Sequence, residues 1–288
     1  MDKNAPICIF TYKKVEPLQR AIEALQKNHK APESELYFFS DGPKNEDDTA
    51  QIEQVRAYIS QIDGFKSVEV VAQKENKGLA RSIIEGVSEV LKKHGSIIVL
   101  EDDLVTSRNF LDFMNQALHA YRSDEKIFSI SGYTTPIEKP PNHTFDNYFT
   151  RRGSSWGWAT WKDRWEKVDW SVSDYNTFST DRWAKRKFNK MGSDMSAMLA
   201  KQMTGKISSW AIRWCYHQFK HDLYTVYPTM SKITNIGFGE NATHTKGSAE
   251  RYATPLDTSG KKDFRFDPNP KLDQRFIKQF VTRFSIRS

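Results

Sequence analysis

Three consecutive acidic residues, Glu101, Asp102 and Asp103, directly follow the largely apolar run 96–100. Adjacent carboxylates repel one another, which makes the fully ionised cluster costly. A divalent cation bound through carboxylate oxygens removes that cost, and Mg²⁺ and Mn²⁺ suit such ligands and commonly bridge them to substrate phosphates. The alternative is an acidic cluster at the positive end of a helix. The position of the triplet at the end of a strand pattern favours the metal interpretation.

Polar residues also follow the first two apolar runs of the chain. Thr11, Tyr12 and Lys13 come after the first run, and Asp41 comes after the second. Asp41 precedes a Gly-Pro turn signal, so its carboxylate could close an Asx-turn or accept a hydrogen bond from a nucleobase or a ribose. Both interpretations stay open from the sequence.

Asn76, Lys77, Gly78 and Arg81 mark the start of a helical pattern. The backbone amides and the two cations of this segment suit a diphosphate. The glycine spacing of a dinucleotide fingerprint or of a P-loop is missing. An ordinary helix start therefore explains the segment equally well.

All eight tryptophans lie in the second half of the chain. Trp158, Trp161 and Trp165 stand at i, i+3 and i+7, which predicts that they share one helical face. Tryptophans at such spacing either pack in a core or form a platform on which a sugar ring stacks. We assign Trp156, Trp158 and Trp210 as the candidate contacts of such a sugar ring.

Apolar runs alternate with helical patterns over about the first 130 residues. This alternation predicts an α/β fold with a mostly parallel sheet and helices on both faces. Ligands of such sheets bind outside the carboxyl ends of the strands. We therefore expect the acidic triplet and the other polar segments that end strands to share one cleft.

Composition limits the possible classes of protein. The 288 residues are 38% hydrophobic and 27% charged, which excludes collagen-like and low-complexity chains. The net charge of +7 suits an anionic partner, but the basic residues are dispersed except near the C-terminus, so no nucleic acid is expected. Only two cysteines, no apolar leader and no run of roughly 18 apolar residues predict a cytoplasmic protein.

These segments, in this order, resemble the glycosyltransferases of the GT-A fold over residues 5–245. The segment 6–13 resembles their first strand and nucleotide loop, Asp41 their carboxylate against the nucleobase, and Arg81 their arginine that faces the nucleotide-sugar. The resemblance implies a Rossmann-like single domain of two abutting halves. It also implies that these segments, with Asn76, Lys77 and Gly78, bind a nucleotide-sugar donor, a UDP-sugar above all.

The acidic triplet resembles the DXD-type motif of this fold in its EDD form. Together with the aromatic segment 157–161, it is similar to the N-acetylglucosaminyltransferase I-like branch and to bacterial sugar transferases of polysaccharide synthesis. The resemblance implies that Asp103 holds Mn²⁺ or Mg²⁺ and that Asp102, with Glu101, faces the donor. It implies that His244 is a second metal ligand, whereas the residues alone make a surface histidine the commoner interpretation.

The chain departs from this pattern at the catalytic base. Inverting relatives commonly carry an Asp or Glu at the start of a helix in the second half, but residues 206–213 contain no acid. We assign Glu240 as the candidate catalytic residue, with Asp194 and Asp163 as alternatives. The expected enzyme is an inverting hexosyl- or N-acetylhexosaminyltransferase.

The predicted activity is metal-dependent transfer of a sugar to a hydroxyl of an acceptor, a glycan or lipid-linked saccharide, in bacterial surface polysaccharide or glycan synthesis. The candidate tryptophans would then contact this acceptor. One alternative is a carbohydrate-binding or scaffolding protein with a degenerate site, which the missing acid favours. Another is a sugar nucleotidyltransferase, which needs a glycine-rich first loop that residues 11–14 lack.

We divide the chain into a nucleotide-sugar-binding half (1–133), an acceptor-binding half (134–260) and a basic amphipathic C-terminal helix (261–288). A helix of this kind can lie on an anionic membrane surface. It would then place the enzyme at the inner face of the membrane. Packing of its apolar face against the domain is the alternative.

Overall fold

An eight-stranded sheet organises the computed structural model, which describes residues 3–237 and 252–284. The strands are β1 (Ile7–Thr11), β2 (Glu35–Ser40), β3 (Ser67–Ala72), β4 (Ser96–Glu101), β5 (Leu104–Thr106), β6 (Ile127–Ser131), β7 (Asn147–Thr150), β8 (Trp158–Trp161), β9 (Tyr224–Pro228) and β10 (Ile233–Asn235). The helices are α1 (Val15–Gln26), α2 (Thr49–Ile59), α3 (Leu79–Leu91), α4 (Phe110–Ala120), α5 (Lys162–Trp165), α6 (Tyr175–Thr180), α7 (Arg182–Phe188), α8 (Met195–Met203), α9 (Trp210–Lys220) and the C-terminal helix (Gln274–Phe284).

The strands of the first half lie side by side in the order β3-β2-β1-β4, and all four run parallel. Strand β8 then pairs antiparallel with both β4 and β6, and β9 and β7 complete the sheet. The predicted α/β class with a Rossmann-like sheet is confirmed. Strands from both halves of the chain belong to the same sheet.

Helices cover both faces of this sheet. Alternate side chains of β1 point to opposite faces, as the pleat requires. Ile7 and Ile9 join a buried cluster with residues of α1, α2 and α4, whereas Cys8 and Phe10 join a cluster with residues of α3 and α9. Because both faces are covered, β1 is apolar from Ile7 to Phe10 instead of alternating.

The register of the central strands aligns their carboxyl ends. Thr11 lies opposite Ser40 in β2, and Phe10 lies opposite Glu101 in β4. The polar residues that follow β1, β2 and β4 therefore emerge at the same edge of the sheet, which is where ligands bind in open α/β sheets.

The tryptophan-rich segment is a strand and not the predicted helix. Trp158 and Trp161 lie at the two ends of β8, and Trp165 lies at the end of α5. The three side chains therefore do not share a helical face. Backbone pairing of β8 with two neighbouring strands outweighs the helical spacing of its tryptophans.

The C-terminal helix begins at Gln274 and not at residue 261 as predicted. Its Phe276 and Phe280 are fully buried, and the Phe276 ring stacks on Tyr148 with centroids 4.6 Å apart. The apolar face expected to lie on a membrane thus packs inside the protein. Within residues 3–237 and 252–284, no helix has the length and apolar character that crossing a bilayer requires.

Candidate functional site

A cavity of about 330 Å³ opens at the carboxyl edge of the sheet, between the ends of β1, β2 and β4. Many of the residues predicted for the site line it together: Thr11, Tyr12, Lys13, Asp41, Asn76, Gly78, Glu101, Asp102, Asp103 and Trp156. The parallel register of the central strands accounts for this convergence, because it places the loops after β1, β2 and β4 side by side.

Asp102 ties the loop after β1 to the acidic triplet. Its Oδ2 accepts a hydrogen bond from Thr11 Oγ1 at 2.9 Å and another from the backbone N–H of Tyr12 at 3.2 Å. Burial and the nearby charge of Asp103 raise the pKa of Asp102 to about 6, against the opposing effect of these hydrogen bonds. The side chain of Asp102 therefore sets the position of the first loop relative to the triplet.

The other two acids of the triplet also have raised pKa values. Burial, followed by the charges of Asp103 and Asp102, raises the pKa of Glu101 to about 8. Burial also raises the pKa of Asp103, whose Oδ1 is buried without a hydrogen-bond partner among the described residues. A buried polar atom in this state is costly. A bound cation would provide both the missing partner and the missing positive charge.

The chemistry of this cluster fits a hard divalent cation that shares its ligands with a substrate. Within the part of the chain that the structure describes, no group of three or more His, Cys, Asp or Glu residues could hold a metal ion by itself. Mg²⁺ usually takes only one or two carboxylates and completes its shell with water and substrate phosphates. Asp103, with its unpartnered oxygen, fits the role of such a carboxylate.

A glycine allows the backbone to approach the Asp103 carboxylate closely. Strand β10 pairs antiparallel with β5, and the N–H of Ile236 donates to the carbonyl oxygen of Asp103 at 2.9 Å. A Cβ atom on Gly237 would overlap with Asp103 Oδ2. Sequence reasoning missed this residue, because the approach of β10 to the triplet is a tertiary contact.

Asp41 holds the segment that begins α3. Its Oδ1 accepts hydrogen bonds from the N–H groups of Gly42 at 2.9 Å and Lys77 at 2.8 Å, and its Oδ2 accepts one from Gly78 at 2.9 Å. The Asx-turn is not formed, because residue 43, two positions after Asp41, is a proline and has no N–H to donate. The same carboxylate also shapes a wall of the cavity, because Asn76 and Gly78 line it.

The cations of the α3 segment do not reach the cavity, in contrast to the prediction. Lys77 Nζ and Arg81 Nε both contact the Glu85 carboxylate, at 2.7 Å and 2.6 Å. Neither residue lines the cavity, and the Arg81 side chain is 68% exposed. An acid one helical turn after Arg81 competes for its guanidinium, and i,i+4 pairing of this kind is typical of helix surfaces.

Lysines from other loops supply the cations of the cavity. Lys13, Lys14 and Lys44 line it, and only Lys13 was predicted. The buried Asp48 accepts hydrogen bonds from both Lys13 Nζ and the Tyr12 hydroxyl at 2.5 Å, and that hydroxyl accepts one from the Lys44 N–H at 3.1 Å. Asp48 therefore fastens the loop after β1 to the loop after β2, a link with no signal in the sequence.

The three tryptophans assigned to the acceptor have different environments. Trp156 lines the cavity and makes an edge-on contact with Tyr133, with ring centroids 4.7 Å apart. Trp158 and Trp210 are only 1% and 3% exposed and pack against each other in the core, with centroids 4.8 Å apart. The assignment of Trp158 and Trp210 as acceptor contacts was wrong, because burial on the α3 and α9 side of the sheet leaves them no surface for a sugar.

The two alternative bases, Asp194 and Asp163, lie away from the cavity. Asp194 makes a bidentate ion pair with Arg152 at 2.8 Å and 2.9 Å, and Asp163 pairs with Arg164. Neither acid lines the cavity, so both alternatives are set aside. Glu240 and His244, the candidate base and second metal ligand, lie outside the described residues.

Comparison with known proteins identifies the family. Residues 7–184 match the family described as Glycosyl transferase family 2, which is more than half of the chain. No curated protein matches the chain.

Two solved structures match part of the chain. One is described as mannosyltransferase PcManGT from Pyrobaculum calidifontis in complex with GDP-Man and Mn²⁺, with 10% identity, a TM-score of 0.41, and coverage of 58% of this chain and 46% of that one. The other is S. aureus TarS, with 11% identity, a TM-score of 0.38, and coverage of 57% of this chain and 30% of that one. The matched part is thus less than half of either structure. On the match over residues 7–184, the chain belongs to glycosyl transferase family 2.

Proposed function

We propose that this protein transfers a sugar from a nucleotide-sugar, a UDP-sugar first of all, to a hydroxyl of a glycan or lipid-linked saccharide. The observation that carries the proposal is the buried Oδ1 of Asp103, which has no hydrogen-bond partner among the described residues and belongs to a half-buried acidic triplet at the strand edge where ligands bind. Family membership supports the class of reaction.

The donor would lie between the first loop and the start of α3. Lys14 and Lys44 place positive charge around the cavity, which suits a diphosphate. Lys13 also lies at the cavity but shares its charge with Asp48. The Tyr12 ring, fixed through its hydroxyl by Asp48, and the turn held by Asp41 would form the walls against the nucleoside. Arg81 would join the donor site only by leaving Glu85, so we give it no contact in the resting protein.

Asp103 would hold Mn²⁺ or Mg²⁺, and we keep His244 as the proposed second ligand. A bound cation would neutralise charge on the leaving diphosphate. Asp102 would keep the first loop beside this point through its hydrogen bonds to Thr11 and Tyr12.

The acceptor would approach from the side of Trp156, the tryptophan at the cavity. We propose Glu240 as the base that takes the proton of the acceptor hydroxyl, with inversion at the transferred carbon. Such proton transfer typically contributes about 10²–10⁴ in rate. The carboxylates of Asp41 and Asp102 already accept backbone hydrogen bonds, so they are poorly placed for that role.

The proposed setting is bacterial surface polysaccharide or glycan synthesis in the cytoplasm. Cys8 and Cys215, the two cysteines of the chain, are buried free thiols, which suits a reducing compartment. We keep 1–133 as the donor half and 134–260 as the acceptor half. The membrane role proposed for the C-terminal helix has lost its basis, since Phe276 and Phe280 are buried.

The experiment is a donor screen followed by a turnover assay. The melting temperature is measured with UDP- and GDP-sugars in the presence of Mn²⁺, and release of the nucleoside diphosphate is then followed with saccharide acceptors. We expect one donor to raise the melting temperature of the wild type and of Asp63→Asn, an exposed control acid, but not that of Asp103→Asn.

The outcomes separate the proposal from its alternatives. Turnover that depends on Asp103 supports a transferase. Donor binding with no turnover for any acceptor favours a carbohydrate-binding protein with a degenerate site. If no nucleotide-sugar shifts the melting temperature with Mn²⁺ present, the proposed function fails.

A further inference from the structure

A basic helix far along the chain carries an exposed tryptophan. Trp183, at the start of α7, is 72% exposed, whereas the other seven tryptophans are buried or half-buried. Asp181 caps this helix, because its Oδ1 accepts hydrogen bonds from the N–H groups of Trp183 at 2.8 Å and Ala184 at 3.0 Å. The exposed ring therefore belongs to an ordered helical turn. Packing within the protein does not explain why this position is a tryptophan.

The same segment concentrates positive charge. Residues 182–190 contain five cations and no acid, and four of the cations are exposed: Arg182, Arg186, Lys187 and Lys190. None of these four makes an ion pair within the described parts of the chain. The fifth, Lys185, donates to the carbonyl oxygen of Ser179. An isolated run of exposed cations repels itself, so its presence suits an anionic partner.

A second cavity, of about 660 Å³, lies beside this segment. Its apolar wall includes Phe178, Phe188 and Phe219, and Lys187 and Lys190 lie at it. Two acids at the same cavity are already paired: Asp174 with Lys220 at 2.9 Å, and Asp222 with Arg151 at 2.7 Å. A third acid at the cavity, Asp181, caps α7 and has no cation paired with it among the described residues. With four cations and three acids in the lining, the charge at this cavity is still positive, by one unit.

We propose that α7, with the adjoining turn to Lys190, is a docking surface for an anionic lipid bilayer. Tryptophan is enriched at the boundary between water and hydrocarbon, where Trp183 would insert. The cations would bind lipid phosphates. The apolar wall beside Lys187 and Lys190 would admit the part of the acyl chains nearest the headgroup. Charge alone would also suit a soluble polyanion, but a tryptophan left in water beside an aromatic cavity favours a bilayer.

This surface is distinct from the C-terminal helix and does not depend on sugar transfer. Binding to a bilayer needs neither a nucleotide nor a metal. The membrane proposal and the proposed function can therefore be tested independently of each other.

The test is flotation of the full chain with two kinds of vesicle, phosphatidylcholine alone and an equal mixture with phosphatidylglycerol. We expect binding to the mixed vesicles that weakens as salt is added. Arg186→Gln/Lys187→Gln should weaken binding about 30-fold, because each basic side chain near such a surface contributes about fivefold. The matched control, Lys92→Gln/Lys93→Gln, removes two exposed cations elsewhere and should bind like the wild type.

The tryptophan is tested separately. Trp183→Ala should weaken binding about tenfold, whereas Met230→Ala, which removes another exposed apolar side chain, should not. Brominated lipid should quench part of the wild-type tryptophan fluorescence and none of that of Trp183→Phe. Equal flotation of all variants, or capture by soluble polyphosphate with no binding to mixed vesicles, would overturn the proposal. Unchanged melting temperatures would show that the variants are folded.

Discussion

Asp41→Asn tests how the donor wall is built, because a single carboxylate holds three backbone N–H groups there. Asparagine keeps one acceptor oxygen and replaces the other by an NH₂ group. In the orientation that keeps the hydrogen bonds from Gly42 and Lys77, this NH₂ would face the N–H of Gly78. The variant then loses one hydrogen bond to a charged acceptor and leaves two donors opposed.

The magnitude follows from these contacts. A hydrogen bond to a charged group contributes about 1.5–3 kcal/mol, and an unsatisfied buried donor costs about 1–3 kcal/mol. Asp41 is buried, at 8% exposure, so water offers little relief. Together these two effects should lower the free energy of unfolding by about 2.5–6 kcal/mol. Donor binding should weaken as well, because the displaced turn contains the cavity residues Asn76 and Gly78.

The assay is urea unfolding followed by circular dichroism, with Asp63→Asn as the control. Asp63 is exposed, so its variant should stay within about 0.5 kcal/mol of the wild type. A loss below about 0.5 kcal/mol in Asp41→Asn would refute the reasoning. It would mean that the three N–H groups find other partners when the carboxylate is removed.

Two further predictions concern a close contact and a buried imidazole. Gly237→Ala should displace the Asp103 carboxylate and abolish Mn²⁺-dependent donor binding, measured by calorimetry, whereas Gly95→Ala, where a Cβ meets nothing within 4 Å, should bind normally. Burial and the nearby His221 lower the pKa of His217 to about 4, so the unfolded chain binds the extra proton between that pH and about 6.5. The free energy of unfolding should therefore fall as pH drops from about 6.5 to 4, by up to about 1.4 kcal/mol per pH unit. Urea titrations of His217→Phe should show a flatter dependence on pH. An equal slope in the variant would contradict the assignment of this effect to His217.

The strand-end residues could be predicted because the signal is local. A buried parallel strand is a short apolar run, and the residue after it must lie at the carboxyl edge of the sheet. This logic placed Thr11, Asp41 and the acidic triplet at one cavity. It also gave the order of the strands and helices in the first half, apart from the short strand β5, because each of those strands is a largely apolar run and each helix has apolar residues at helical spacing.

The side chains that complete the site could not be predicted, because they arrive through tertiary contacts. Asp48 lies in a polar loop with no period, and Gly237 matters only because β10 runs beside β5. The orientation of Arg81 depends on competition from Glu85, which charge type alone does not resolve. Trp158 was misassigned because spacing suggested a helix where sheet pairing made a central strand.

The central claim is that donor binding requires a cation at Asp103. The most direct measurement is calorimetric titration of the protein with the donor found in the screen, with Mn²⁺ and again with EDTA, for the wild type, Asp103→Asn and Asp63→Asn. We predict one binding event for the wild type and Asp63→Asn that disappears in EDTA and is absent in Asp103→Asn. A dissociation constant that is the same in EDTA, or the same in Asp103→Asn, would contradict the account.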